Sequence, residues 1–370
     1  MRPSGLRTVG IPRETKAGEH RVALTPDGVH ELVAHGARVL VERDAGADSS
    51  IRDADYSAAG AEVVASASDA WSADLVVKVK EPQAAEFGHL RPDLTLFTYL
   101  HLAAYPAVAA ALVASGSTAV AYETVTDGAG TLPLLAPMSE VAGRLAPQIG
   151  ARFLERQQGG RGVLMGGAPG VRPARVVVIG AGSVGWNAAW IAQGMEAEVL
   201  LLDRNLDRLR WVDQIHRGRI MTLASTRLAV ERAVADADLV ITAVLVPGGR
   251  APVVLTDTMI AGMRPGSVIV DVAIDQGGAV EGIRETSHAD PVDVRHEVLC
   301  YAVGNIPAAV PHTSTYALTN ATLPYVVELA ARGVDGAVAA DPGLAEGVNV
   351  RDGAVVNTVV AGALEAMPDR

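Results

Sequence analysis

Cysteine is nearly missing. The 370 residues hold one, Cys300. A lone thiol closes no disulfide within the chain and excludes zinc sites built on several thiolates. A chain with no disulfide framework suits a reducing compartment, so we expect a cytoplasmic protein. Basic charge is also short: 31 Lys and Arg stand against 42 Asp and Glu, for a net charge of −11. No basic run stands out, so neither nucleic acid nor an anionic membrane is an expected partner. The opening MRPSGLRTVGIP is basic, but no apolar stretch or small-residue cleavage site follows it, and we read no signal peptide. No charged residue lies between Asp93 and Glu123, a long enough interval to span a bilayer. Thr95, Thr98, His101, Pro106, Ser115, Gly116 and Ser117 interrupt it, and the apolar run from Leu102 to Ala114 falls short of the ~20 residues a spanning helix needs. A strand (LTLFTYL), a helix (PAVAAALVAS) and a second strand (STAVAYE) account for it better. A GxSxG nucleophile motif and paired cysteines are missing too. His30 and His35 are five apart, off the spacing that puts two ligands on one helix face, so no metal is expected.

What is present is ordinary globular composition, 49% apolar and 20% charged. At about 150 residues per domain, the length suits roughly two domains. In the first third, β-rich runs (TVGIP, ARVLVER, AEVVAS, DLVVKVK, LTLFTYL, STAVAYE) alternate with helically spaced segments such as PDGVHELVAHG. Near-continuous apolar strands separated by helices predict a parallel sheet covered on both faces. Residues 8–125 thus read as one doubly wound α/β domain. A long helical segment, Ala136 to Gln157, follows, with Pro147 expected to kink or divide it. The glycine-rich GGRGVLMGGAPG is a candidate boundary. Strands and helices then alternate again through ARVVVIG, EVLLLD, DLVITAV, SVIVDVA and LCYAVGN. From Tyr316 the chain returns to helix.

VVVIGAGSVGWNAAWIA is the sharpest local motif. It sets Gly180-x-Gly182-x-x-Gly185, with Ser183 and Val184 between, after an apolar strand and before a helix. The first glycine permits a tight turn, the second lets backbone approach a pyrophosphate, and the third lets helix and strand pack closely. The helix N-terminus then offers N–H groups to phosphate. Asp203 ends the next strand, about 20 residues on, where an acid binds the adenosine ribose hydroxyls. A purely structural β-turn-α unit is the alternative, and dinucleotide binding is favoured over it. Asp203 points to NAD, because a carboxylate repels a 2′-phosphate. Arg204 pulls the other way if it pairs with that phosphate; otherwise it is a solvated surface arginine.

Other residues carry chemistry less specifically. Lys78 and Lys80 share a face of DLVVKVK by strand alternation. Burying two ammonium groups without partners is expensive, so Lys78 is expected at a solvated strand end. Lys80 lies nearer the C-terminal end, where ligands bind. His101 ends LFTYLHL in an uncharged neighbourhood; it is either a proton-transfer group or a core histidine bonded to backbone. Arg21, in ETKAGEHRVALTP, is a carboxylate-binding fork or a surface charge beside Lys16 and Glu19. Asp275, in VDVAIDQGG, makes an Asx-turn or orients a water or proton donor beside a cofactor.

Taken together the chain resembles the L-alanine dehydrogenases over nearly its whole length. VGIPRETKAGEHRVALTPDGV, VVKVKEP, LFTYLHLAA, AYETV, LPLLAPMSEVAGR, GGRGVLMGGAPGV, VVVIGAGSVG, AVLVPG, VDVAIDQGG and PHTSTYALTNATLPYV carry the likeness, in order. The soluble NAD(H)-binding subunit of proton-translocating transhydrogenase shares the GIPRE opening and is the alternative reading. The resemblance implies reversible, NAD-dependent oxidative deamination of L-alanine to pyruvate and ammonia. It implies that Arg21 and Lys80 hold the substrate, that His101 is the acid/base, that Asp275 assists, and that Asn305 lies near nicotinamide and substrate. Ser139, Ser225 and the backbone around Val244 and Leu245 are implied to line the cofactor. It also implies a discontinuous flavodoxin-like substrate domain (1–135 and 308–370) with a Rossmann domain (136–307) inserted, closure of the cleft between them, and a homohexamer. Ile306, where methionine is common in relatives, and His312, where lysine is frequent, depart from the pattern.

Overall fold

The computed structural model describes residues 7–244 and 250–365. Its strands are β1 (Thr8–Ile11), β2 (Arg38–Glu42), β3 (Glu62–Val64), β4 (Leu75–Val77), β5 (Thr95–Thr98), β6 (Thr118–Ala121), β7 (Arg175–Ile179) and β8 (Glu198–Asp203). They continue with β9 (Met221–Ala224), β10 (Leu239–Thr242), β11 (Val268–Asp271), β12 (Val292–Arg295), β13 (Val298–Tyr301), β14 (Val348–Arg351) and β15 (Ala354–Val355). The chain divides into two compact units, one of Met1–Met138 with Ala308–Arg370, the other of Ser139–Pro307.

The first unit holds a sheet in the order β15-β14-β6-β5-β4-β1-β2-β3. β1 to β6 run parallel, and β14 and β15 add an antiparallel edge beside β6. The doubly wound α/β class read from the sequence is what forms. Each βα step is set locally. The helix Pro26–Ala34 has proline in its first turn, Thr25 as N-cap accepting from the Gly28 N–H, and Val29 and Leu32 on its buried side. On one face of the sheet Val76, Leu96, Ala119, Ala121 and Val350 pack with Val108 and Leu112 of the helix Pro106–Ser115. Each such side chain taken fully out of water contributes about 1.5–3 kcal/mol.

The helix Pro311–Ala340 returns to this unit, broken at Gly333, whose φ of 65° and ψ of 175° are not helical. Its first turns anchor the segment after β1. Thr315 Oγ1 accepts from the Val22 N–H at 3.1 Å, and Thr319 Oγ1 donates to the Ala23 carbonyl at 3.3 Å.

The second unit holds a sheet in the order β12-β13-β11-β10-β7-β8-β9, parallel except for β12. Read from β9 to β13, the parallel strands follow the Rossmann order 3-2-1-4-5-6. Burial on both faces shows in alternate residues of β7. Val176 and Val178 pack with Ala188, Ala189 and Ala192, while Val177 and Ile179 pack with Val230 and Val234 on the other side. The helix Ala136–Phe153 runs unbroken through Pro147, contrary to the expected division. Ala142, Ala146 and Phe153 tie it to the core on either side of the proline, and this packing holds the helix across the one backbone bond Pro147 cannot make. Among the described residues no helix is long and apolar enough to cross a membrane.

Candidate active site

The first unit gathers Arg21, Lys80 and His101 at the C-terminal ends of its parallel strands. Arg21 follows β1 and is buried. Its Nε and Nη2 donate to the two Glu19 carboxylate oxygens at 2.7 and 2.6 Å, and Nη1 points to Met138 Sδ. Burial opposes its charge, but Glu19 outweighs that and holds the guanidinium firmly protonated.

Lys78 is not at a solvated strand end, as the sequence suggested. It is fully buried, with Nζ 2.9 Å from Glu86 Oε1 and 3.1 Å from Glu14 Oε2. Burial pulls its pKa down, yet the two carboxylates together raise it above the ordinary lysine value. Partners distant in sequence remove the cost that argued for exposure. Glu14 Oε1 also accepts the Val79 N–H at 2.6 Å. β4 ends at Val77, so strand alternation does not reach Lys80. Lys80 is buried and lies close enough for its charge to act on both His101 and Glu123.

His101 stands three residues beyond β5 with φ of 46°, in the left-handed region. Its ring stacks on Tyr99 at 5.7 Å between centroids and 4° between planes, and Tyr99 is fixed by its hydroxyl bond to the Leu134 carbonyl. Burial first, then the charges of Lys80, Lys16 and Arg21, push its pKa well below the ordinary histidine value. Burial and these charges therefore favour the neutral imidazole. Lys16 is itself tethered, donating to Glu81 Oε1 at 2.6 Å and to the Tyr105 hydroxyl at 3.0 Å.

In the second unit the glycine loop follows β7. A Cβ on Gly180 would sit 2.4 Å from the Ala243 carbonyl oxygen, and one on Gly185 would sit 1.7 Å from the Gly180 carbonyl oxygen. Both glycines are required by the fold itself. A Cβ on Gly182 would meet only Arg208 Nη1, at 3.8 Å, and the Gly182 backbone is extended. Among the described residues nothing else comes within 4 Å of that position, which suits backbone meant to lie against a phosphate. The helix Ser183–Gly194 starts there, with Ser183 and Val184 in its first turn.

Asp203 closes β8, accepting the Ala181 N–H at 2.5 Å and the Asn205 N–H at 2.7 Å, so the ribose-binding candidate also braces the glycine loop. Ser225 donates its N–H to the Asp203 carbonyl at 2.9 Å. Arg204 is exposed, and the arginine near Asp203 is Arg208, 3.8 Å from Oδ2. Ser139 and Val244 are partly buried; Leu245 lies outside the described residues. These residues fit a dinucleotide.

Asp275 is exposed on the single turn Ile274–Gln276 after β11. Its Oδ1 accepts the N–H of Asn305, a left-handed residue with φ of 58°, at 2.9 Å. Asp271, fully buried, holds this loop. It accepts from the Thr242 hydroxyl at 2.7 Å and from the Ala273 and Ala279 N–H groups at 3.0 and 2.8 Å. Ile306 is buried beside Asn305, and His312 Nδ1 donates to the Ser49 carbonyl at 3.1 Å.

Sequence reasoning named Glu19 only as a charge beside Arg21, not as its buried partner, and missed Glu123, Asp271 and Arg208. Each sits within or beside a segment that drew attention for another residue, and pairing across the fold is what gives each its place.

Comparison with known proteins agrees over nearly the whole chain. Residues 10–142 match the family model "Alanine dehydrogenase/PNT, N-terminal domain", and residues 146–358 match "Alanine dehydrogenase/PNT, C-terminal domain". The chain is 57% identical to an alanine dehydrogenase of Mycobacterium tuberculosis strain H37Rv, over 95% of each chain. It is 52% identical to that of Bacillus subtilis strain 168, over 95% of this chain and 93% of the relative. A solved L-alanine dehydrogenase superposes with a TM-score of 0.93 at 50% identity, covering 97% of this chain and 99% of that one. A transhydrogenase from Sinorhizobium meliloti is more distant, with a TM-score of 0.81 at 26% identity over 95% and 99%.

Proposed function

The chain belongs to the alanine dehydrogenase/PNT family, and on that premise we propose the reaction it carries: reversible oxidative deamination of L-alanine to pyruvate and ammonia, with NAD as the hydride carrier. The observation that supports it best is the placement of His101 among Lys80, Lys16 and Arg21, whose charges together with burial favour the neutral imidazole. A small carboxylate substrate needs cations to hold it, and attack of water on an imine needs an uncharged base beside it.

In this reading Arg21 and Lys80 hold the substrate carboxylate and oxygen. His101 takes a proton from the attacking water and returns it to the leaving amine, and Asp275 assists. Gly180, Gly182, Gly185, Ser183, Val184, Asp203, Arg208, Ser139, Ser225, Val244 and Asn305 would hold the dinucleotide. When bound, its nicotinamide takes up the hydride released from the alanine Cα. Asp203 favours NAD over NADP by repelling a 2′-phosphate, and exposed Arg204 is read as a surface residue. The first unit is thus the substrate domain and the second the cofactor domain. A homohexamer in the cytoplasm completes the reading, by likeness to the family.

Initial rates of NADH formation test it, with L-alanine, D-alanine and larger L-amino acids, each with NAD and with NADP. We expect L-alanine with NAD to give the highest rate. A preference for a larger amino acid, or for NADP, contradicts the corresponding part.

A further inference from the structure

His101 carries an unusual backbone for a residue with a side chain. A left-handed φ costs a non-glycine residue roughly 1–2 kcal/mol, and it persists where neighbours hold it. The neighbour here is Glu123, two residues beyond β6. β5 and β6 are paired in parallel, Thr98 beside Ala121, so the segments leaving them run side by side. Glu123 Oε1 accepts the His101 N–H at 2.6 Å, and both its oxygens lie 3.2 Å from the Leu100 nitrogen. The same Oε1 lies 3.7 Å from His101 Nδ1.

We propose that Glu123 is the positioning residue of His101: its carboxylate clamps the left-handed Leu100–His101 turn, faces Nδ1, keeps the proton on that nitrogen, and leaves the Nε2 lone pair for the substrate. The inference rests on the alanine dehydrogenase reading. An ionised carboxylate only accepts, so the ring nitrogen turned to it is the one that carries hydrogen. The charges facing the ring are Lys16 and Arg21 from the segment after β1, Lys80 from the segment after β4, and Glu123; Tyr99 covers one face. Three cations disfavour the imidazolium that forms when His101 takes its proton. Glu123 is the anion among them that touches the ring's own turn. Burial raises its pKa above the ordinary glutamate value, and the backbone N–H groups of His101 and Leu100 together with Lys80 pull it back toward the ionised form that the clamp uses.

Glu123→Gln separates clamp from charge, because the amide oxygen still accepts the His101 N–H. We expect kcat for alanine oxidation to fall about 10- to 100-fold, the range seen when partners that orient metal-bound histidines are removed. KM for alanine should change by no more than about twofold, since the substrate's anchors are intact. The acid limb of kcat/KM should move to lower pH, because the cations are then unopposed. Wild-type kcat with an unmoved limb overturns the proposal. So does a lower kcat with an unmoved limb, which is what a purely structural clamp gives. If the variant does not fold, ¹⁵N NMR of the wild-type protein decides, with His101→Gln assigning the signal: an Nδ1–H tautomer supports the proposal and an Nε2–H tautomer overturns it. Wild-type protein without alanine turnover would instead refute the underlying reading.

Discussion

Arg21 and Glu19, two residues apart, form a bidentate ion pair shut away from water, with Nε and Nη2 each meeting one carboxylate oxygen. One edge of the guanidinium is therefore committed to Glu19, while Nη1 points to Met138 Sδ. Glu19 acts as the arm that aims this arginine.

Glu19→Ala should cost heavily. Removing one partner of a buried pair leaves an uncompensated charge, worth about 3–5 kcal/mol. Urea denaturation should show a clear drop in midpoint, and KM for alanine should rise in whatever protein remains folded. A midpoint within error of wild type would show that Arg21 finds another anion.

The three glycines of the dinucleotide loop should respond differently to alanine. At Gly182 the added methyl has room, so stability should hold to within about 0.5 kcal/mol, the range of neutral substitutions. NADH binding should weaken roughly tenfold or more, equal to about 1.4 kcal/mol. At Gly185 the methyl would collide with the Gly180 carbonyl, and the fold itself should suffer. Thermal melts alongside NADH fluorescence titrations distinguish the two cases. A Gly182→Ala variant that binds NADH normally contradicts the assigned phosphate contact.

The pH dependence follows from His101. Its pKa lies well below 6.5, chiefly through burial and then through Lys80, Lys16 and Arg21. The folded protein therefore takes up this proton less readily than the unfolded chain. Stability from this group is present above about pH 6.5 and is lost as pH falls below it. The active neutral base also persists through the ordinary histidine range. We expect the acid limb of kcat/KM for alanine oxidation to lie below 6.5, and His101→Ala to lose about 10²–10⁴ in kcat. A limb at or above 6.5 contradicts the assigned environment.

Cys300 is the chain's one thiol, and burial pushes it up to about 12. An aromatic disulfide reagent should find no reactive thiol in the native protein at pH 8 and one equivalent after unfolding in guanidinium. Rapid labelling of native protein would place Cys300 nearer the surface than β13 allows.

Much of this was legible in the sequence for a physical reason. Runs such as ARVVVIG and DLVVKVK are buried on both faces, so their apolar continuity alone marks a parallel strand. β9 (MTLA) and β14 (VNVR) escaped, because short, partly polar edge strands lack that continuity. β14 also depends on pairing with β6, more than two hundred residues earlier. The catalytic candidates were visible as residue types at strand ends. Their partners were not. Lys78 looked like a surface group because Glu14 and Glu86 are brought to it only by folding. Arg204 drew attention beside Asp203, whereas Arg208, one helical turn further on, is the arginine that approaches it. Pro147 looked like a break because the packing of Ala142 and Phe153 around it is tertiary.

The most direct test of the central claim is the ammonia dependence of pyruvate reduction. NADH oxidation is followed at 340 nm with pyruvate present, with and without ammonium, for wild type and His101→Ala. Turnover that requires ammonium, yields L-alanine and is lost in His101→Ala is the result expected of an alanine dehydrogenase. Pyruvate reduction without ammonium, or tight NADH binding with no turnover in either direction, would contradict it.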